Sequence, residues 1–169
     1  PNVVLSGINI GSNLGNNIIY SGTVAAAIEG AVSGIPSIAF SLDSFSPSSF
    51  ETSRVVVYKI IKLLIDNTPP TGTILNVNIP NCKLEDLKGY RVTLQGKQYF
   101  DDNFDERIDP RGRKYYWMTG KIIDKDEDLE SDGFAVKNNY VSITPINFEM
   151  SNIGYLNELK KIIGKNGEN

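Results

Sequence analysis

The chain has 169 residues, 40% hydrophobic and 22% charged, which suits a single globular domain with a substantial core. Its formal net charge of −3 argues against a basic surface for nonspecific nucleic-acid binding. No apolar run reaches the roughly 20 residues that a membrane-spanning helix needs. We therefore predict one domain over 1–169, with neither a nucleic-acid polymer nor a membrane as its partner.

Histidine is absent, and its absence excludes several kinds of chemistry. Ser-His-Asp and Cys-His catalysis are excluded within the chain, and so is a zinc site with His ligands. A metal would need oxygen ligands, which favours Mg²⁺, Mn²⁺ or Ca²⁺. The single cysteine, Cys82, cannot form an internal disulfide, has no assigned role and fits a reducing, cytoplasmic location.

The first predicted element is a buried strand over 3–5, followed by a loop of glycines and small polar residues over 6–15. An alanine-rich helix is predicted over 22–32, and Gly34 and Pro36 end it. The order of strand, polar loop and helix start is typical of an anion site.

Strands and helices alternate in the next segment. Residues 37–42 predict a strand, 53–67 have helical apolar spacing, and 74–79 predict a third strand. This alternation predicts an α/β fold: a Rossmann-like three-layer sandwich with a mostly parallel sheet. Ligands of such sheets bind at the carboxyl ends of the strands, where the loop over 6–15 lies.

A polar and aromatic segment over 95–130 lacks a helical period and contains a turn at 109–112, which predicts a projecting β-hairpin arm. Strands are predicted over 91–94, 134–136 and 140–146, and a terminal helix over 153–163. Tyr and Trp beside Arg111 and Arg113 are typical of interface anchors, which favours assembly through the arm. Packing of the arm on its own domain, or contact of the two arginines with substrate phosphates, are the alternatives.

The loop over 6–15 carries Gly7, Gly11 and Gly15 at a spacing that matches neither the dinucleotide nor the P-loop fingerprint. Glycines let backbone N–H groups approach a ligand closely. Asn9 and Asn13 supply neutral oxygens that suit a metal or a substrate. A Gly/Asn-rich turn without a ligand explains the loop equally well.

Ser21-Gly22-Thr23 precedes the alanine-rich helix, and alone it predicts an N-cap. A helix start also offers free backbone N–H groups at the positive end of the helix dipole, which suits a phosphate. Because the tripeptide follows the Gly/Asn loop, we predict one site with a metal on one side and a phosphoryl group on the other.

Several motifs follow one another along the chain: SGIN-x-G-x-N-x-G, YSGTVAAA-x-EG, G-x-P-x-IA-x-S, LNVNIP, DPRGR with YYW, Asp132, and YVSITP. Together they resemble the SurE (survival protein E) family of metal-dependent nucleotide phosphatases. The matches are collinear over nearly the whole chain, so the set is specific although no single motif is.

The resemblance implies a metal-dependent phosphomonoesterase, a 5′-nucleotidase that also acts on 3′-monophosphates and in some members on polyphosphate. It implies one divalent cation per subunit, Mg²⁺ or Mn²⁺, with Asn9 as a ligand. It also implies that the arm over 95–130 contributes to a homodimer or homotetramer. The residues that it assigns to the substrate phosphate are Gly7, Asn13, Ser21, Gly22 and Thr23.

The family's opening strand with its adjacent Asp pair, and its loop with a Ser ligand, have no counterpart in the sequence. We therefore expect the chain to match the C-terminal two-thirds of a family member, to lack the first strands and to have little activity alone. Asp101-Asp102 lies in the arm and is given no metal role, so no catalytic residue is assigned. A non-catalytic nucleotide- or phosphate-binding module, or an assembly subunit, is the alternative function.

Overall fold

The computed structural model describes residues 1–47 and 49–166. Its strands are β1 (Val4–Ile10), β2 (Ser37–Asp43), β3 (Thr73–Pro80), β4 (Gly89–Val92), β5 (Tyr99–Ile108), β6 (Lys114–Ile123) and β7 (Tyr140–Asn147). Its α-helices are α1 (Gly22–Val32), α2 (Glu51–Asp66), α3 (Asp132–Lys137) and α4 (Ile153–Asn166). Short 3-10 helices cover Gly15–Tyr20 and Leu84–Asp86.

The central sheet has the strand order β1-β2-β3-β7-β4. β1, β2 and β3 run parallel, β7 is antiparallel to β3, and β4 is parallel to β7. The carboxyl ends of β1, β2 and β3 therefore meet at one edge of the sheet. This edge carries the candidate site.

Helices cover both faces of the sheet. Ile38 and Phe40 of β2 pack in a core cluster with Val56 of α2, whereas Ala39 packs with Ala27 of α1. Because successive strand residues point to opposite faces, α1 and α2 lie on opposite sides of the sheet. The prediction of a Rossmann-like α/β fold with a mostly parallel sheet is confirmed.

The arm is a two-stranded antiparallel sheet, in which β5 pairs with β6 from Tyr99↔Ile123 to Ile108↔Lys114. At its tip the Asp109 carboxylate accepts hydrogen bonds from the backbone N–H groups of Arg111 and Arg113, both at 2.8 Å. The predicted hairpin is confirmed. Its part in assembly and the single-domain division of 1–169 stay predictions.

Two of the predicted elements were wrong. Residues 134–136 belong to α3 and not to a strand, because the Ser131 hydroxyl accepts a hydrogen bond from Phe134 N–H and caps a helix there. Residues 6–10 continue β1 instead of forming a loop. The pairing of β1 with β2 shifts register between Ser6 and Asn9, so this part of the strand is irregular.

The lengths and hydropathy of the α-helices bear on whether the chain crosses a membrane. Within residues 1–47 and 49–166, no helix is both long and apolar enough to cross a bilayer.

Candidate functional site

Asn9 lies near the carboxyl end of β1, and its side chain is held by hydrogen bonds on both sides. Its Oδ1 accepts from Asn13 Nδ2 at 3.0 Å and from the Ser41 hydroxyl at 2.8 Å. Its Nδ2 donates to the Gly11 carbonyl at 2.6 Å. Asn9 thereby joins the end of β1, the end of β2 and the loop between β1 and α1.

Asn13 is the centre of this network and is 9% exposed. Its backbone N–H donates to Asn78 Oδ1 at 2.7 Å, and its carbonyl accepts from Asn76 Nδ2 at 2.8 Å and Asn78 Nδ2 at 3.0 Å. Buried peptide groups need partners, and two side chains of β3 supply them here. The loop is consequently docked on the end of β3, with the Asn13 side chain directed to Asn9 and Ser41.

The sequence predicts no role for Ser41, Asn76 or Asn78, although all three are buried in this network. The sequence does contain a signal for Asn76 and Asn78. In ILNVNI, residues 74–79, the two asparagines lie two residues apart and therefore on one face of an otherwise apolar strand. Among the described residues, Asn76 Oδ1 has no hydrogen-bond partner, so the cluster retains a buried acceptor.

Asp132 ties the loop to the arm and to α3. Its fully buried carboxylate accepts from the backbone N–H groups of Gly15 at 2.9 Å, Gly96 at 3.0 Å and Gly133 at 2.7 Å. Burial raises the pKa of the Asp132 carboxyl, and the three N–H donors act in the opposite direction. Asp132 therefore holds the loop at Gly15, two residues after the Asn13 peptide groups that Asn78 holds.

The start of α1 has backbone N–H groups to offer. The Ser21 hydroxyl accepts from Val24 N–H at 3.1 Å, and Ser21 N–H donates to the Ile18 carbonyl. The N–H groups of Gly22 and Thr23 have no partner within residues 1–47 and 49–166. The predicted cap is confirmed, and the two free donors have the chemistry of an anion cradle.

The predicted site residues lie in three places. Asn9 and Asn13 are in direct contact. Ser21 caps α1, and Gly22 and Thr23 are its first residues. Because α1 follows β1 and packs against β1 and β2, it starts at the same edge of the sheet. Gly7 lies within β1, where a Cβ would overlap the carbonyl oxygen of Phe40 on the neighbouring strand.

A divalent cation prefers several oxygen ligands, with carboxylates among them. No group of three or more His, Cys, Asp or Glu side chains that could hold a metal occurs among the described residues. The Asn9 oxygen already accepts two hydrogen bonds, and Asp43, at the end of β2, accepts one from the Ser12 hydroxyl at 2.6 Å. The described residues do not by themselves make up a site for the expected metal.

The segment that carries this site is similar in sequence to a known protein family. Residues 1–102 match the model of the family described as survival protein SurE, and these residues include the asparagine network and the start of α1. The chain belongs to the SurE family. The match extends over more than half of the 169 residues.

Curated relatives in this family include a 5′-nucleotidase SurE from Fervidobacterium nodosum, 44% identical over 164 residues. A protein of the same description from Petrotoga mobilis is 47% identical over 158 residues. These matches cover 97% and 94% of this chain but 63% of each relative. The chain thus spans about 63% of the length of the curated SurE relatives that it matches.

The fold is also similar to a solved structure, that of the SurE protein from Aquifex aeolicus. The TM-score is 0.82 at 41% identity, and the match covers 96% of this chain and 66% of the other. The α/β architecture is therefore shared with an experimentally determined SurE protein.

Proposed function

We propose that the protein carrying this chain is a phosphomonoesterase that hydrolyses nucleoside monophosphates to nucleoside and phosphate. The observation that carries the proposal is the asparagine and serine cluster at the carboxyl ends of β1, β2 and β3. At the same edge of the sheet, the N–H groups of Gly22 and Thr23 have no partner among the described residues. Relatives that share this segment are described as 5′-nucleotidases. Activity on 3′-monophosphates and on polyphosphate is a further part of the proposal.

The phosphoryl group is proposed to lie at the start of α1. The N–H groups of Gly22 and Thr23 and the helix dipole favour negative charge there. Donors fixed in advance stabilise the charge that builds up on the phosphoryl oxygens in the transition state. Asn13 and Gly7 are proposed as the other contacts of the substrate phosphate. The loop that carries Asn13 is held in place because two side chains of β3 donate hydrogen bonds to the Asn13 carbonyl.

Gly22→Ala tests the phosphate position. A Cβ at Gly22 meets no atom within 4 Å, so stability should change by less than about 1 kcal/mol. The methyl group would nevertheless occupy the space through which phosphate oxygens approach the N–H groups. We expect affinity for adenosine 5′-monophosphate and its phosphate release to fall at least about tenfold.

Affinity is measured by an NMR titration of residues 1–169 without Mn²⁺, and turnover by an assay of released phosphate, with Mn²⁺ present, on the protein that carries this chain. Gly164→Ala is the matched control, because Gly164 lies in α4 and its Cβ also meets open space. Nucleotide affinity and turnover that are unchanged by Gly22→Ala would place the phosphate elsewhere.

Asn9 is proposed as one neutral ligand of a divalent cation, Mg²⁺ or Mn²⁺, bound once per subunit. Because the described residues lack a carboxylate cluster, residues 1–169 alone should bind Mn²⁺ with a dissociation constant of about 1 mM or weaker. Isothermal titration calorimetry measures this directly. Micromolar binding at one site would show that the residues present are a sufficient ligand set, and Asn9→Ala would then identify the contribution of Asn9.

A second candidate function is a nucleotide- or phosphate-binding module without catalysis. It is favoured by the same lack of a carboxylate cluster among the described residues. Binding of adenosine 5′-monophosphate without phosphate release, by the protein that carries this chain and at saturating Mn²⁺, would support it over the enzyme. Assembly through the arm into a homodimer or homotetramer, and a cytoplasmic location, stay predictions.

A further inference from the structure

An open cleft of about 830 Å³ adjoins the candidate site. It lies between the 3-10 helix Gly15–Tyr20, the loop after β2 and the base of the arm. Its volume is within the range of about 300–1,000 Å³ that is usual for small-molecule sites. Four aromatic side chains line it: Tyr20, Phe45, Tyr99 and Phe100.

Two of these aromatic residues connect the cleft to the phosphate region. Tyr20 directly precedes Ser21 at the start of α1. The Phe45 ring lies against Gly11, where a Cβ would be 3.3 Å from Phe45 Cε1. Gly11 in turn accepts the hydrogen bond from Asn9 Nδ2. A ligand whose phosphate lies at α1 could therefore extend its other end into the cleft.

The chemistry of the cleft suits the uncharged part of a nucleotide. Phe45 is 79% exposed and Tyr20 is 82% exposed, so their ring faces are open for stacking. Among the described residues that line the cleft, Asp102 alone is charged, which disfavours an anion there. The amides of Asn16 and Asn17 can donate and accept hydrogen bonds, as the edge of a base and the ribose hydroxyls require.

We propose that this cleft is the nucleoside subsite. The nucleobase stacks on Phe45 and Tyr20, and the residues at the start of the arm form the opposite wall. The proposal rests on the proposed phosphatase function for the position of the phosphate. It predicts that base-free phosphoesters do not use the cleft. It also makes the first residues of the arm, Tyr99 and Phe100, part of substrate recognition.

The test is a set of NMR titrations of residues 1–169 with adenosine, adenosine 5′-monophosphate and ribose 5-phosphate. Phe45→Ala should weaken binding of the first two ligands about five- to a hundredfold, since one stacked ring is lost, and leave ribose 5-phosphate unchanged. Phe45→Tyr, which keeps a ring, should restore most of the affinity. Tyr58→Ala is the control, because Tyr58 is 69% exposed on α2 and does not line the cleft.

Tyr20→Ala provides a second variant, at the other ring on which the nucleobase is proposed to stack. Equal losses for ribose 5-phosphate and the nucleotide would overturn the proposal, and so would adenosine binding that neither variant changes. If Gly22→Ala alters no phosphoester affinity, the proposed phosphate site is wrong. In that case the NMR titration with adenosine, which carries no phosphate, still tests whether the cleft binds the nucleoside.

Discussion

Asp132→Ala is expected to lower the free energy of unfolding by at least about 3 kcal/mol. The substitution leaves three buried backbone N–H groups, those of Gly15, Gly96 and Gly133, without their acceptor. Each unsatisfied buried donor costs about 1–3 kcal/mol. Urea denaturation followed by circular dichroism measures the change.

Asp128→Ala is the matched control, because Asp128 is an exposed carboxylate that accepts one backbone hydrogen bond, from Glu130 N–H at 3.0 Å. It should change the free energy of unfolding by less than about 1 kcal/mol. A similarly small effect at Asp132 would mean that water replaces the carboxylate and that the loop does not depend on it.

The local parts of the fold could be predicted because their causes are local. The apolar spacing of α2 and the Ser21 cap of α1 are each contained in a few neighbouring residues. The prediction failed at α3, where three apolar residues are too few to distinguish a helix from a strand. The Ser131 cap was the missed signal, since its hydroxyl accepts from Phe134 N–H.

The site could be predicted only in part, because its hydrogen bonds join distant segments. Asp132 and Gly15 are 117 residues apart, and Asn13 and Asn78 are 65 residues apart. A single sequence shows which residues are polar and small but not which of them meet. Asn9 and Ser21 were named because each has a local pattern, whereas Ser41 lies within an apolar strand and offers none.

This long-range organisation also changes the interpretation of Gly7. The residue was predicted to contact the substrate, which stays a prediction, but the structure gives it a role in strand pairing. Its φ of 105° favours glycine, and its position against Phe40 lets β1 approach β2 within the register shift between Ser6 and Asn9. The shift ends at Asn9, so Gly7 helps to set where the Asn9 amide lies.

Gly7→Ala should therefore destabilise the fold by about 2–5 kcal/mol, the sum of backbone strain and overlap with the Phe40 carbonyl. Gly34→Ala separates the two causes, because Gly34 has a φ of 75° but its Cβ would meet no atom within 4 Å. We expect that control to cost about 1 kcal/mol, from strain alone. Thermal and urea unfolding measure both variants. A stable Gly7→Ala protein with weakened phosphate binding would instead show that Gly7 contacts the substrate, since only the ligand would then meet the added methyl group.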